Sequence, residues 1–350
     1  MNRKIPFVQS ELNVAGHIPG FFGGPERPVR NTPVTSRENI CAMYFDKEPF
    51  WLSTGIDNNF MIPSIYNNNL GRGMGADIVD SFGITWKWEP TAGGSIVVGG
   101  NPLLKNVNDW KDVIKFPDID SWDWAGQAAL EENKIDVSRS CEFSFVNGFL
   151  FERLISYMDF MPAAMALVDD DQTAALHELF GASAEFACKL VDKFCEYWPR
   201  IDGFNIHDDW GSQKAPFFSK EIADELFVPY MKILNDHIKS KGRYVSLHSC
   251  GHNFTRVQCF IDAGFDSWGP QLMNDTHALY EQFGDKIIIG VVPDPFDPET
   301  TSEEEQRERA KAHVDKFCKP GKPSMLGGFM NAPVFADALY EYSRKKYLGN

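Results

Sequence analysis

The sequence predicts an α/β protein whose parallel strands close into a (β/α)8 TIM barrel. From residue 139 onward, short apolar runs alternate with helical patterns of about ten to fifteen residues, which is typical of a parallel sheet. The length of 350 residues fits one such barrel with an N-terminal extension. Polar residues follow the apolar runs, as expected where barrel strands end at an active site. An open, doubly wound sheet is the alternative, but no Gly-x-Gly-x-x-Gly motif follows the first strand.

Composition narrows the classes of partner. With 43% hydrophobic and 24% charged residues, the chain has the composition of a globular protein. Its formal charge of -15 and the lack of a Lys/Arg cluster argue against a nucleic-acid partner. No apolar run approaches the roughly 18 residues of a membrane span, and the first residues lack a signal-peptide core, so we expect a cytoplasmic protein without a membrane segment. The cysteines have no paired spacing, which favours reduced thiols.

The N-terminal third is expected to be rich in loops. Residues 1–34 contain many Gly and Pro without a sustained period, which predicts an irregular arm, and one barrel domain is expected over 35–350. Thr35-Ser-Arg-Glu38 is a capping box, and the apolar spacing after it predicts a helix that ends before Pro49. The rest of 35–138 is expected to cover the C-terminal face of the barrel, with short strands near 84–86 and 95–98.

Strands and helices alternate over the main α/β repeats, 139–350. Strands are expected at 140–146, 201–207, 244–247, 265–268, 286–291 and 324–329. Helices are expected from 150, over 169–198, over 220–239 with Ser219 as N-cap, and at 253–263, 277–283, 302–318 with Thr301 as N-cap, and 333–346. Because each helix returns the chain to the start of the next strand, the carboxyl ends of these strands are expected at one edge of the sheet.

Two polar turns at that edge carry the candidate chemistry. His207-Asp-Asp-Trp-Gly-Ser-Gln213 follows one strand, and His248-Ser-Cys-Gly251 closes another. Carboxylates and imidazoles can supply a proton donor, a base or metal ligands, so the candidate catalytic residues are Asp209, His207 and His248. Both turns also have a structural interpretation, since Asp often caps a helix and Cys is often buried. The candidate substrate-binding residues are other polar side chains near strand ends: Glu142, Asn147, Asp208, Trp210, Gln213, Gln271, Asn274 and Asn331.

His248 and Cys250 also suggest a metal site. Zinc prefers His nitrogen and Cys sulfur, but a zinc site needs at least a third ligand. The candidates are Glu142, His207, Asp209 and Cys318, and none has the spacing of a metal motif. A zinc ion at His248 and Cys250 is therefore a hypothesis whose remaining ligands the sequence leaves open.

Three motifs, considered together, resemble a known superfamily. They are Asp208-Asp-Trp-Gly-Ser-Gln213, His248-Ser-Cys-Gly251, and Phe265-Asp-Ser-Trp-Gly-Pro-Gln271 with Asn274-Asp275, and the resemblance is to the uroporphyrinogen decarboxylase superfamily. Gly148-Phe-Leu-Phe-Glu-Arg-Leu154, Ser36-Arg-Glu-Asn39, and Gly94 with Asn101-Pro-Leu-Leu104 are similar to its corrinoid-dependent methyltransferases. The resemblance runs from about residue 35 to the C-terminus. It implies a (β/α)8 barrel with its site at the C-terminal face.

Within that superfamily, the motifs favour methyl transfer. The decarboxylases share a Met-Arg-Gln-Ala-Gly-Arg segment that is absent here, where 50–75 contains only Arg72, whereas the methyltransferases carry His-x-Cys-Gly as at 248–251. The resemblance implies transfer of a methyl group from a small donor, above all a methoxylated aromatic ether, to the cobalt of a corrinoid (cobalamin). No Asp-x-His-x-x-Gly motif occurs, so the corrinoid is expected on a partner protein. A uroporphyrinogen-type decarboxylase is the first alternative, and a non-catalytic small-molecule-binding barrel is the second.

The chain departs from the thiol-methylating members of that branch. They hold zinc with the His-x-Cys pair and a later Cys beyond a Gly-Gly-Phe-like strand, but here Gly327-Gly-Phe-Met-Asn-Ala-Pro333 is followed by Val334 and Phe335. This difference favours members that take a methyl group from an ether. In such a reaction Asp209 or His207 would donate a proton to the leaving oxygen, or a metal at His248 and Cys250 would polarise it.

Overall fold

The computed structural model describes residues 5–19, 26–55, 57–73, 75–91, 94–328 and 331–348. In chain order, the strands are β1 (Val14–Ile18), β2 (Arg27–Arg30), β3 (Asn58–Met61), β4 (Ile78–Val79), β5 (Thr85–Glu89), β6 (Gly94–Val97), β7 (Ser140–Phe145), β8 (Gly203–His207), β9 (Tyr244–His248), β10 (Ser267–Trp268), β11 (Ile288–Val291) and β12 (Met325–Leu326).

The helices follow the same alternation. They are α1 (Ser36–Cys41), α2 (Ser64–Asn69), α3 (Trp110–Val113), α4 (Trp124–Glu131), α5 (Phe151–Met158), α6 (Phe160–Ala166), α7 (Asp170–Tyr197), α8 (Lys220–Ile222), α9 (Val228–Ser240), α10 (Val257–Asp262), α11 (Thr276–Phe283), α12 (Glu303–Phe317) and α13 (Pro333–Tyr347). None of the described helices combines the length and apolar character needed to cross a membrane.

Most of the predicted elements over 139–350 are confirmed. The strands that carry the polar turns, β8 and β9, end at His207 and His248, and Ser219 caps the helix that begins at Lys220. The last predicted strand is shorter than expected, and Phe329 lies outside the described residues. The capping box at Thr35 is confirmed, because the Thr35 side chain accepts the N–H of Glu38.

Two local predictions were wrong. The N-terminal arm is not irregular throughout, because β1 and β2 pair as an antiparallel hairpin, although 1–4 and 20–25 lie outside the described residues. The N-cap of α12 is Ser302, whose hydroxyl accepts the Glu305 N–H at 3.2 Å, and not Thr301. The helix predicted after Thr35 and the helix predicted over 220–239 are confirmed, and each contains a π-helical turn, at Ala42–Asp46 and Ala223–Phe227.

The chain forms two compact units. The terminal unit comprises Met1–Asn59, Asp136–Cys141 and Ser267–Asn350, and the central unit comprises Phe60–Ile135 and Glu142–Asp266. In the terminal unit β10, β11 and β12 are parallel, and α12 packs with α13 around Val314, Phe335 and Leu339. The buried Glu11 carboxylate accepts hydrogen bonds from Arg344 at 2.9 Å and from Tyr340 at 2.7 Å, which ties the N-terminal segment to α13.

The central unit contains the parallel strands β7, β8 and β9, which are hydrogen-bonded in that order. One face of these strands is apolar and packs on α7, where the Phe143 and Phe194 ring centroids lie 5.4 Å apart. The opposite face is polar: in register it carries Ser144, Asn205 and Ser246, and it ends with His207 beside His248. The α/β class with parallel strands is thus confirmed in each unit, while closure into a barrel of eight strands stays a prediction.

An antiparallel sheet of β4, β5 and β6 also belongs to the central unit. Its last two strands confirm the short strands predicted near 84–86 and 95–98. That this region covers a catalytic face, and that 35–350 is one domain, stay predictions.

Candidate active site

The ends of β8 and β9 bring two predicted catalytic residues together. His207 and His248 are direct neighbours in the parallel register, and their rings stack with centroids 4.3 Å apart and planes inclined by 25°. Side chains two residues apart lie on the same face of a strand, so both rings continue the polar face that begins at Ser144, Asn205 and Ser246. The prediction that both residues lie together at the carboxyl ends of adjacent parallel strands is therefore confirmed.

The loops that follow these strands are hydrogen-bonded to each other. Asp208 N–H donates to the His248 carbonyl at 3.0 Å, and Trp210 N–H donates to the Ser249 hydroxyl at 3.1 Å. Gly251 has φ of 90° and packs directly on the backbone of Gly211, where a Cβ would overlap the Gly211 carbonyl. These contacts fix the position of the residues between them, since both loops lose most of their backbone freedom.

Asp209, His248 and Cys250 form a compact cluster at this point. Nε2 of His248 lies 3.3 Å from Sγ of Cys250 and 3.9 Å from Oδ1 of Asp209, and the three ligand atoms lie within 4.8 Å of one another. The same Asp209 oxygen accepts the N–H of Cys250 at 2.7 Å. The side chains of His248 and Asp209 are 46% and 33% exposed, so a small molecule can reach the cluster.

The donor atoms of this cluster suit a zinc ion. Zinc bonds of about 2.0–2.3 Å at tetrahedral angles place neighbouring ligand atoms about 3.5 Å apart, which is close to both distances from His248 Nε2. Nitrogen, sulfur and carboxylate oxygen are all zinc ligands, and three protein ligands leave one position open, as in catalytic zinc sites. Of the four third-ligand candidates, the structure brings Asp209 to the pair.

The pKa values of His207 and Cys250 are both shifted by burial and by neighbouring charges. Burial, followed by the neighbouring His248 and Arg72, lowers the pKa of His207 well below its ordinary value. His207 is therefore neutral near pH 7 and holds no surplus proton for a leaving group. Burial and the Asp209 carboxylate raise the pKa of the Cys250 thiol to about 12, so the thiolate forms at neutral pH only if a cation compensates its charge.

Asp208 and Trp210 lie in the interior of the central unit. Both are 0% exposed, and the Trp210 indole N–H donates to Asp208 at 2.8 Å. The other Asp208 contacts are the backbone N–H groups of Phe151 and Glu152, at 3.3 and 2.9 Å, so the carboxyl caps the start of α5. Burial raises the pKa of Asp208 to about 8, with Glu152 adding to the shift. These contacts indicate that Asp208 and Trp210 position the site from beneath, whereas the sequence suggested that they bind substrate.

Asn147 belongs to a second polar group beside the site. Its backbone has φ of 75°, its side-chain N–H donates to the Leu70 carbonyl at 2.7 Å, and its Oδ1 accepts a hydrogen bond from Nε of Arg72. Nη2 of Arg72 donates to Oε1 of Glu152 at 2.7 Å, while the buried Oε2 of Glu152 has no hydrogen-bond partner in the part of the chain that the structure describes. Burial raises the pKa of Glu152 to about 7, Arg72 lowers it, and Asp209 raises it.

Glu142 lies deeper on the polar face of the strands. Its Oε1 accepts a hydrogen bond from the Ser246 hydroxyl, and Tyr244 OH lies 3.5 Å from its Oε2. The side-chain amide of Asn205 donates to the same Ser246 oxygen at 2.7 Å. Glu142 is 1% exposed, and its burial raises its pKa to about 7 against the lowering effect of both hydroxyls. Glu142 is thus a buried acid beneath the strand ends.

The remaining predicted residues have separate positions. Gln213 is exposed on the loop after β8. Gln271, Asn274, Asn331 and Cys318 belong to the terminal unit: Asn274 is buried and donates to the Gln271 carbonyl at 3.1 Å, Asn331 is exposed, and Cys318 is in the core of that unit. The substrate-binding role suggested for Gln213, Gln271, Asn274 and Asn331 stays a prediction, as does the zinc-ligand role considered for Cys318.

Sequence reasoning gave no role to Arg72 or Glu152. Arg72 is the single arginine in 50–75, and Glu152 lies in the Gly148–Leu154 motif, so both were visible in the sequence. Only the fold shows that they pair with each other.

Comparisons with known proteins show a likeness in fold and no match in sequence family. No protein-family model matches the chain, and no curated protein matches it. A methyltransferase from Methanosarcina mazei aligns with 90% of this chain and 99% of its own, at 12% identity and a TM-score of 0.57. This likeness supports the TIM-barrel-like α/β class predicted from the sequence. The structure of 2,3-dimethylmalate lyase, a PEP mutase/isocitrate lyase superfamily member, covers 90% of this chain and 98% of its own at 10% identity, and its TM-score of 0.34 is too low for an argument.

Proposed function

We propose that the chain is a methyltransferase that moves a methyl group from a methoxylated aromatic ether to the cobalt of a separate corrinoid protein. The observation that carries the proposal is the cluster of Asp209, His248 and Cys250 at the ends of adjacent parallel strands. The fold shared with the Methanosarcina mazei methyltransferase and the motifs of the corrinoid-dependent branch support the same class of reaction.

The reaction sets a clear demand on the protein. The electron pair of reduced cobalt attacks the methyl carbon, the carbon–oxygen bond breaks, and its electron pair remains on the departing oxygen. That oxygen must be neutralised as it leaves, by a proton or by a Lewis acid. A cluster of three ligands with partial exposure meets this demand.

The residues present fit a zinc ion held by His248 Nε2, Cys250 Sγ and Asp209 Oδ1. Such an ion would supply Lewis acidity at the ether oxygen. The protein's part is to hold the three ligand atoms together, through the two loops and the hydrogen bond from Cys250 N–H to Asp209. The neutral His207 ring stacks on His248 and fixes the orientation of that ligand.

The test is a methyl-transfer assay with the purified chain. It is mixed with reduced corrinoid proteins, or with free reduced cobalamin, and with a panel of methoxylated aromatics and methylated amines, and methyl-cobalt formation is followed by absorbance. We expect methyl-cobalt with methoxylated aromatics. Absence of methyl-cobalt with every donor would overturn the proposal, and decarboxylation of uroporphyrinogen to coproporphyrinogen would replace it with the first alternative.

A further inference from the structure

Arg72 is a cation beside the candidate active site that the proposed mechanism does not use. Its Nη2 donates to Oε1 of Glu152 at 2.7 Å, and the Glu152 N–H donates to Asp208 at 2.9 Å. The Asp208 N–H donates to the His248 carbonyl at 3.0 Å, so hydrogen bonds connect Arg72 to the loops that hold the cluster.

The Arg72 guanidinium is held in place from several sides. Nε donates to Asn147 and Nη2 donates to Glu152, and the guanidinium lies 5.5 Å from the ring centroid of Trp86. The indole N–H of Trp86 in turn donates to the buried Asp80 at 3.0 Å. Because its neighbours are themselves fixed, Arg72 loses little conformational entropy when it binds a ligand.

One edge of this fixed guanidinium has donors that its protein neighbours do not use. An arginine has five N–H donors. Asn147 and Glu152 take two of them, on the side edge formed by Nε and Nη2, and Nη1 has no hydrogen-bond partner among the described residues. The Arg72 side chain is 35% exposed. Its end edge, Nη1 with the second N–H of Nη2, has the geometry that binds a carboxylate through two parallel hydrogen bonds.

We propose that Arg72 binds a carboxylate of the methyl donor, which makes the substrate a methoxylated aromatic acid. The inference rests on the proposed function for the methyl group, whereas carboxylate binding follows from Arg72 itself. It also separates the donor classes, because a cationic methylated amine is repelled by Arg72 and a neutral ether gains nothing from it.

Glu152 already forms an ion pair with Arg72, so the protonation state of Glu152 affects how strongly Arg72 attracts a carboxylate. Its burial, which outweighs the effect of Arg72, raises its pKa to about 7. When Glu152 is protonated, the pair with Arg72 carries a net positive charge that an incoming carboxylate neutralises. Asp208, Asp209 and Arg153 are the other charged groups that act on Glu152 or are acted on by it.

The experiment is a calorimetric binding titration without any corrinoid. The three methoxybenzoate isomers are compared with the corresponding methoxybenzyl alcohols, which have similar shape and no charge. For at least one isomer we expect the acid to bind at least about tenfold more tightly than the alcohol. Arg72→Gln should abolish this difference by weakening acid binding much more than alcohol binding, and Arg72→Lys should restore part of it. The exposed Arg200→Gln, in the same unit, is the matched control and should behave as the unchanged chain.

Equal binding of acid and alcohol, absence of acid binding, or an equal loss of both ligands in Arg72→Gln would overturn the inference. Circular dichroism of each variant identifies unfolding, and the Arg72→Lys variant keeps the test valid if Arg72→Gln does not fold. Failure of the proposed function gives a different result: the acids would bind in an Arg72-dependent manner, but no methyl-cobalt would form.

Discussion

At the scale of single residues, the candidate site depends on a glycine that the sequence already places in the second polar turn. Gly251 has φ of 90° and touches the Gly211 backbone, so Gly251→Ala adds both left-handed strain and a steric overlap. We expect a loss of unfolding free energy of about 3 kcal/mol or more. Denaturant unfolding measures it.

The matched control is Gly242, which has φ of 70° and open space around the position of a Cβ. Gly242→Ala adds the strain alone, and about 1 kcal/mol is expected. Equal losses in the two variants would show that the contact between Gly251 and Gly211 does not matter.

The buried acid Glu142 makes stability depend on pH. Its folded-state pKa of about 7 lies above its ordinary value of 4.5, so the folded state binds the proton more tightly than the unfolded state. Its contribution is therefore fully present below the ordinary value and is lost as pH rises from there toward about 7, by up to about 3 kcal/mol. Glu152 and Asp208 act in the same direction.

Glu142→Gln should thus flatten the fall in unfolding free energy between about pH 5 and pH 8, because the amide does not titrate. The exposed Glu132→Gln should leave the curve unchanged. Curves of the same slope for Glu142→Gln and the unsubstituted chain would contradict a raised pKa at Glu142.

Metal binding is a further property of the three clustered residues. We expect the chain to bind about one equivalent of zinc, and Asp209→Asn, His248→Gln or Cys250→Ser to weaken zinc binding by about tenfold or more, since each removes one of three ligands. Competition with a chromophoric chelator measures the affinity. Cys195→Ser on α7 and His237→Gln on α9 are the controls, and equal affinity in all variants would exclude the cluster as the zinc site.

At the scale of elements, the N-cap of α12 can be tested by substitution. Ser302 accepts the Glu305 N–H and Thr301 does not cap the helix, although both residue types suit an N-cap. Ser302→Ala is expected to cost about 1 kcal/mol of unfolding free energy, and Thr301→Ala much less. Thermal unfolding of the two variants measures these losses. A larger loss of unfolding free energy in Thr301→Ala than in Ser302→Ala would show that Thr301 is the N-cap, as predicted from the sequence.

The elements that sequence predicted well are those with a strong apolar pattern. Strands β7 and β9 were located within a residue, because Phe143, Phe145, Val245 and Leu247 alternate with polar residues. The β1–β2 hairpin was missed because Gly and Pro dominate its surroundings. A one-residue error at the start of α12 follows from the adjacent Thr301 and Ser302, which local sequence cannot distinguish.

Part of the site was also predictable from the apolar pattern of the strands. Strand ends placed His207 and His248 together, since register follows from the strands. The choice of Asp209 as the third cluster member, and of Asp208 as an interior cap for α5, depends on loop backbone that two packed glycines determine. Spacing along the chain contains no information on that packing.

At the scale of the whole molecule, the chain divides its parallel strands between two compact units, and the proposed chemistry lies in the central one. Asp209, His248, Cys250, Arg72 and Glu152 all belong to that unit. A shared fold with a methyltransferase at 12% identity does not assign an activity, so the proposed methyl transfer depends on the cluster.

The most direct test is the rate of methyl-cobalt formation in a single turnover, with an accepted methoxylated donor and reduced corrinoid. We predict that Asp209→Asn, His248→Gln and Cys250→Ser each lower this rate by about a hundredfold or more, while Cys195→Ser and His237→Gln change it less than about twofold. Rates in the cluster variants equal to those of the two controls would contradict the central claim that this cluster is the site of methyl transfer.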